Sequence, residues 1–451
     1  MKKSIIFRNA VLAALCLCSL GAYAQEEPAK QWTLEECIRY AIEHNIDLKQ
    51  KEQVEAARAV ELNTSKNSWL PNLNANLGQN FDFGRSPTKE GIIVDQNSVN
   101  SSFSIQTSMP LFTGLRIYNE IQVRKLDLKA ATENLNKAKD DLTIGVTSYY
   151  VQVLYNKEIL RVADMQVELS REQVTKTEAM VNAGKVPLSQ LYDIKAQLAK
   201  DEVTQTDARN NVNLALLDLA QALEMEKSGE TLAIADPIAG NPVELYMSSI
   251  LPPDDIYRHA VTFKPQIKEQ EYLLESNRKA LKVARAAFFP QLSLNAYYSN
   301  GYYHYNGQTN TSFSEQLKQN ERKNIGLSLS IPLFNRLTTR NAVRSSRIAI
   351  LNQELTMENT KKTLYKEIQQ AYYNAVAAQE KYNASEKSVV ATREAFKYAE
   401  ERYNAGKSTV FEFNDAKTKY AQSLAEQAQA KYDYVLRTKI LDFYNGTPIR
   451  L

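Results

Sequence analysis

The chain has 451 residues, 55 Lys and Arg against 52 Asp and Glu, three His, three Cys and a formal net charge of +3. A balance this even excludes a chain-wide basic pull on nucleic acid. No stretch after residue 24 has the apolar length of a membrane helix, which excludes a helical membrane protein.

Residues 1–24 read as an export signal: Lys2, Lys3 and Arg8 give a charged start, 10–20 an apolar run, and Ala22-Tyr23-Ala24 an A-x-A cleavage site. A lipid-anchored form does not fit, because Leu precedes both Cys16 and Cys18 where a small residue is needed. Removing the signal takes three positive charges and leaves 52 basic residues against 52 acidic ones, a net charge near zero. Cys37 is then the one remaining cysteine, so no intrachain disulfide is expected, and it reads as a small apolar residue on a helix.

From 33 to 66 the apolar period is helical, with Leu34, Cys37, Ile38, Ala41 and Ile42 on one face and Thr33 set to cap Glu36. Pro71 opens a two-residue period: Leu73, Ala75, Leu77, Phe81 and Phe83 alternate with Asn72, Asn74, Asn76, Asn80 and Asp82. After a polar loop, 84–98, the alternation resumes with Val99, Phe103, Ile105, Met109 and Leu111 against Asn100, Ser102, Ser104, Gln106 and Ser108. A long Pro-free helical run follows, with Leu128, Ala131, Leu135, Ala138 and Leu142 at steps of three and four. It ends at Val181-Asn182-Ala183-Gly184-Lys185, where Gly supplies the left-handed residue that closes a helix, and Pro187 starts another.

Residues 228–253, with four prolines, read as an irregular connection, after which the scheme repeats. Leu292, Leu294, Ala296 and Tyr298 alternate with polar neighbours, a polar loop spans 300–322, and Ile325, Leu327, Leu329, Ile331 and Leu333 alternate again. A second Pro-free run carries Leu364, Ile368, Ala371, Ala375, Ala378, Tyr382, Ser385, Val389, Thr392, Phe396, Ala399 and Tyr403 in a coiled-coil seam. It ends at Tyr403-Asn404-Ala405-Gly406-Lys407, followed by Thr409 with Glu412 as a capping pair. Pro71 aligns with Pro290 at an offset of 219, and Gly184 with Gly406 at 222, so only the loop between strands changed length. This is a tandem duplication: 25–227 (β-hairpin 71–112, tip 181–187) and 254–451 (β-hairpin 290–334, tip 403–409).

Each β-hairpin has one apolar face and one face of Asn, Ser and Gln, the polarity of a lipid-facing outside and a wet lumen. A soluble sheet packed on one face is the alternative; the strand length, the Tyr302, Tyr303 and Tyr305 aromatics and the export signal favour the membrane. Four strands cannot close a barrel, so several chains must share one. A helix from 116 to 182 would run roughly 100 Å, longer than any membrane is thick, and must project into water.

The chain resembles the TolC family of outer-membrane efflux channels. The resemblance rests on Trp32-Thr33-Leu34-Glu35-Glu36-Cys37-Ile38 through Asn45-Ile46-Asp47-Leu48, on Pro110-Leu111-Phe112 with Pro332-Leu333-Phe334, and on the Asn-Ala-Gly tips with Asp193 and Asp415 nine residues after Gly. It implies a mainly α fold with membrane β: a homotrimer sharing a twelve-stranded outer-membrane barrel, continued by periplasmic coiled-coil helices, in a Gram-negative bacterium. The tips would close the tunnel and dock a periplasmic adaptor of an inner-membrane pump, with Gly184, Lys185, Gly406 and Lys407 as docking residues.

The family's acidic ring at the closed end falls on Glu412 and Asp415, and its constricting Tyr on Tyr403. On the first tip Asp193 matches, while Gln190 stands where an acid is often found. The family's latch Arg, two after the second Gly, is Ser408 here, with Lys407 one position off. Glu412 also reads as the capping partner of Thr409, and Asp415 as part of a solvated helix face.

No site for chemistry emerges. Gly406-Lys407-Ser408 lacks the earlier P-loop Gly, since Glu401 stands there. His44, His259 and His304 are scattered without metal or triad spacing, so neither metal, cofactor nor enzymatic activity is expected. The expected role is a passive duct for small molecules. A protein-secretion outlet is the alternative within that class, and a periplasmic coiled-coil adaptor, which would need one hairpin and soluble β-domains, is the alternative outside it.

Overall fold

The computed structural model describes residues 31–87, 91–95, 97–225, 232–238 and 250–451; the expected export signal, part of the 84–98 loop and most of the 228–253 connection lie outside the described residues. The helices come in pairs of equal length: α1 (Leu34–His44) and α5 (Pro253–Phe263) have 11 residues, and α2 (Ile46–Asn67) and α6 (Pro265–Ala286) have 22. The long helices α3 (Arg116–Asn182) and α8 (Thr338–Asn404) have 67, and α4 (Leu188–Ala222) and α9 (Val410–Tyr444) have 35. Among the described residues no helix is long and apolar enough to cross a membrane.

The chain divides into two compact units, one of 1–46, 141–253 and 368–451 and the other of 47–140 and 254–367. Each unit therefore draws on both sequence repeats.

The second unit holds the sheet. Its strands β1 (Asn72–Asp82), β4 (Ser98–Phe112), β5 (Gln291–Tyr305) and β6 (Arg322–Ser330) lie in that order, all neighbours antiparallel. Residues directly opposite one another share a face, and the register makes that face continuous. Ala75 faces Ile105, Ile105 faces Tyr298, Leu294 faces Leu327 and Leu292 faces Leu329. On the other side Asn72 faces Ser108, Asn76 faces Ser104, and Ser293 faces Ser328. The apolar face has nothing over it: Leu77 is 77% exposed and Ile325 80%. Strands β1 and β6 each leave one edge unpaired within the chain.

The described residues of the two strand-joining loops carry secondary structure that their polar sequences do not suggest. A short hairpin, β2 (Arg85–Pro87) with β3 (Ile93–Asp95), sits in the first. In the second, β5 continues past its last partner on β6, and the helix α7 (Phe313–Gln319) folds back on it. Gln316 takes over the pairing: its side chain accepts from the Tyr303 amide at 2.9 Å and donates to the Tyr303 carbonyl at 2.8 Å. Asn320 does the same for the Gly301 carbonyl at 2.7 Å. Side-chain amides thus satisfy strand backbone that a loop would leave bare.

The first unit is helical. Thr33 caps α1 in a reciprocal box with Glu36, at 3.3 and 3.1 Å. The single helix expected over 33–66 is instead two, broken at Asn45, whose backbone leaves the helical region at ψ 129. The amide freed at Ile46 lies 3.4 Å from the Glu224 carboxylate, a partner far along the chain that no local pattern reveals. Cys37 is fully buried beside Leu34, Tyr150 and Leu219, in keeping with a small core residue. The α8 seam is buried at Ile368, Ala371, Ala375, Ala378, Tyr382, Val389, Phe396 and Tyr403.

Residues 232–238 form a strap across this core. Trp32 and Ala233 to Ala235 exchange backbone hydrogen bonds of 2.8 and 2.9 Å. The Tyr150 hydroxyl reaches the Ala235 carbonyl at 2.5 Å and the Trp32 carbonyl at 3.1 Å. Burial, with the charge of nearby acids, pushes the Tyr150 phenol well above its ordinary range. Tyr432 donates to Asp236 at 3.1 Å, and Lys431 to the Ile238 carbonyl at 3.0 Å. Tyr150→Phe leaves the strap carbonyls without their donor. We expect a loss of about 1–3 kcal/mol in thermal unfolding, with faster proteolysis at 232–238.

Candidate functional site

The turns that end α3 and α8 are built alike. In the first, Gly184 donates to the Val181 carbonyl at 2.9 Å and Lys185 to that of Met180 at 2.9 Å; in the second, Gly406 donates to Tyr403 at 2.9 Å and Lys407 to Arg402 at 2.8 Å. The glycines sit at φ +67 and +68, the left-handed region that an L side chain resists. A Cβ at either would meet nothing within 4 Å, so backbone conformation rather than space demands glycine there. Gly184, Lys185, Gly406 and Lys407 are all exposed.

The helices that leave these turns start differently. Pro187 stands at the N-cap of α4 and supplies no side-chain bond. Thr409 caps α9, its hydroxyl accepting from the Glu412 amide at 3.2 Å. The Glu412 carboxylate accepts from the Ser408 hydroxyl. That bond, the Thr409 backbone amide and the Arg402 charge hold the carboxyl below its ordinary range. Arg402 lies 3.8 Å from Glu412 and also approaches the Lys407 carbonyl at 3.5 Å. The cation beside Glu412 thus comes from the helix before the turn, where the sequence pattern offered only Ser408 and Lys407 after it.

Asp415 is exposed and pairs with Lys419 at 2.7 Å, so Glu412 and Asp415 engage separate cations. Asp193 is exposed on α4, and no described hydrogen bond or ion pair joins it to the others. Tyr403 and Gln190 do come together: the Gln190 amide donates to the Tyr403 hydroxyl at 3.3 Å, with the Thr177 hydroxyl 3.5 Å away. Tyr403 is only 4% exposed. Its ring lies 5.1 Å from Phe413, in a cluster with Ile194 and Phe396 that joins the hairpin α3–α4 to the hairpin α8–α9.

A second link between the hairpins escaped the sequence reading. Lys417, 2% exposed, ion-pairs with Asp201 at 2.6 Å and donates to the Ser170 hydroxyl. Asp201 also accepts from Ser170 at 2.5 Å and from Gln197 at 2.8 Å, so its charge is fully engaged. The signal was present: Lys417 follows Phe413 by four residues, on the buried stripe of α9. On α3, Gln166, Ser170, Gln173 and Thr177 carry this buried polar stripe along the same face. Among the described residues no group of His, Cys, Asp and Glu is arranged to hold a metal ion.

The family model described as outer membrane efflux protein matches residues 37–224 and 256–447. The outer membrane protein TolC of Escherichia coli K12 is 21% identical over 435 residues, covering 94% of this chain and 83% of its own. The pyoverdine export outer membrane protein OpmQ of Pseudomonas aeruginosa is 25% identical over 367 residues, covering 76% and 69%. Among solved structures, the Campylobacter jejuni CmeC outer membrane channel superposes with a TM-score of 0.75 at 18% identity, covering 95% of this chain and 92% of that one.

The turn geometry predicts the response to substitution. Gly406→Ala forces a Cβ into the left-handed region and should cost about 1–2 kcal/mol, whereas Gly406→Asn should cost less. Hydrogen exchange of the 403–412 amides, faster in the Ala variant than in the Asn variant, reads this out.

Proposed function

We propose a passive exit duct as the role of this chain, which belongs to the outer membrane efflux protein family. The observation that carries the reading is the sheet, with its uncovered apolar face, its Asn and Ser face and its two open edges. An unpaired backbone group costs several kcal/mol in lipid, so the edges of β1 and β6 must meet partners. Neighbours alternate in direction along β1-β4-β5-β6, so β6 of one copy would meet β1 of the next antiparallel and close a ring without mismatch. Three copies would give twelve strands, apolar residues toward lipid and Asn72, Asn76, Ser104 and Ser328 toward a water-filled lumen.

In that trimer the helical hairpins form the periplasmic part of the duct. Six tips, two from each copy, would close its end. Glu412, Asp415 and Asp193, exposed on the helices that leave the turns, are the residues we assign to the acidic constriction. Three-fold repetition of these charges would focus the field and favour cations at a narrow opening. Tyr403 and Gln190 act one step back, holding the hairpins together rather than lining the opening. The exposed turns, with Lys185 and Lys407, are where a periplasmic adaptor would dock end-on, and an inner-membrane pump would supply the energy. The relative named for pyoverdine export supports small-molecule cargo.

Two measurements test this. In planar bilayers the wild type should give a small, cation-selective conductance that rises and loses selectivity in Glu412→Ala/Asp415→Ala. Unchanged conductance would move the constriction away from these residues, and failure of trimeric protein to insert would overturn the duct. In β6, Leu327→Lys places a charge on the lipid face and should cost about 2–4 kcal/mol near the bilayer midplane, read as lost assembly. Its neighbour Ser328→Lys faces the lumen and should assemble normally while reducing cation selectivity.

A further inference from the structure

The polar face of the sheet carries almost no charge. Along β1, β4, β5 and β6 it holds mostly Asn, Ser, Gln, Gly and Tyr, and its charged residues are Asp82 and Arg322. One stands on each edge strand: Asp82 is the last residue of β1 and Arg322 the first of β6. Both are exposed. Among the described residues no ion pair reaches either of them. Asp82 accepts from the Ser98 hydroxyl at 3.4 Å, while the nearby Arg85 and Lys323 are engaged with Asp95 at 3.4 Å and Glu321 at 2.8 Å.

Closing a sheet into a barrel staggers the strands, so the register between copies differs from the level one. The pairings set Arg322 level with Ser299, Ser104 and Asn76 of its own chain. Without stagger, β6 would cover 72–76 of the next β1 and leave 77–82 without a partner. A stagger the other way would set β6 against α2, which is no strand. The stagger therefore runs toward Asp82. It is also even, because an odd step would turn the apolar residues of one strand to the lumen. Strands rise about 3.3 Å per residue and lie about 4.8 Å apart, so steps of four, six and eight residues per copy tilt twelve strands by roughly 35°, 45° and 55°. Membrane strands tilt by about 45°. Six residues beyond Asn76 stands Asp82.

We propose that β6 of one copy pairs with β1 of the next in the register that sets Arg322 directly opposite Asp82. This ion pair, repeated three times at the end of the lumen away from the helices, fixes the stagger of the barrel. The inference rests on the trimeric duct proposed above. In this register all nine residues of β6 find partners on 74–82. Leu327 meets Leu77 on the lipid face, and Gly326 meets Gly78 and Ser328 meets Asn76 on the polar one. A shift of two residues either way sets Arg322 opposite Asn80 or Gly84 and leaves the charges diagonal. A solvated pair adds little to overall stability. Registers two residues apart make nearly the same backbone bonds and cover nearly the same apolar surface, so a small cross-strand attraction decides between them.

Disulfide trapping reads the register. Residues directly opposite have Cα atoms about 4.5–5.5 Å apart, within reach of a disulfide, whereas diagonal ones lie about 7–8 Å apart and beyond it. Asp82→Cys/Arg322→Cys should give a covalent trimer on a non-reducing denaturing gel. Its yield should exceed that of Asn80→Cys/Arg322→Cys and of Asp82→Cys/Asn324→Cys several-fold, with single variants as controls for the buried Cys37. A higher yield from either of those two would overturn the stagger, and trimeric protein that forms no bridge at any of the three would overturn the pairing of β6 with β1. Protein that is not trimeric in detergent would overturn the duct itself. Charge exchange tests the ion pair without cysteines. Arg322→Asp and Asp82→Arg each set like charges opposite one another and should lower the temperature at which the trimer dissociates. Asp82→Arg/Arg322→Asp should regain most of that loss; a double variant no more heat-resistant than either single one would overturn the role of the pair.

Discussion

Backbone N–H and C=O groups at the edge of a sheet need partners, and lipid offers none. The sheet of this chain has four strands, an uncovered apolar face and two bare edges, so a single copy has no stable way to stand in a membrane. Much of the rest follows from that constraint. The loop amides of Gln316 and Asn320 complete the pairing of β5 where β6 ends. The alternation of strand directions suits closure with identical copies. In the proposed duct, assembly is thus built into the strands.

The helices meet a different demand. A duplicated unit gives paired helices of equal length, yet their buried stripes are not alike. On the buried stripe of α9 a lysine stands among apolar residues, and Asp201 and Ser170 answer it, with Gln197 bonded to Asp201 in turn. A buried ion pair of this kind adds little to stability compared with a well-packed apolar contact. What it demands is specific: Lys417 needs the acid and hydroxyl that Asp201 and Ser170 place around it. The second hairpin is thereby matched to one face of the first.

The tip carries a related division of roles. Tyr403 is buried and bonded to Gln190, so it belongs to the contact between hairpins. Glu412 and Asp415 are exposed, each beside its own cation. Because Glu412 also accepts from Ser408 and the Thr409 amide, its capping role and an open position at the tip coexist in one side chain.

The sequence by itself determined the element types and their order. Period-two alternation, Pro-free heptads and the two Gly-Lys turns are local signals, and each governs backbone within a few residues of itself. The offset of 222 likewise made the duplication legible, along with the exposed acids and lysines near the tips. Only the tertiary structure decided the partners. The break at Asn45 depends on Glu224, the strap at 232–238 on Tyr150 and Tyr432, and the docking of α7 on β5 on the Gln316 side-chain amide. The pairing of Lys417 with Asp201 spans 216 residues, and Arg402 reaches Glu412 across a turn. Such contacts depend on which faces the packed helices bring together, and periodicity fixes a face without naming what it will touch.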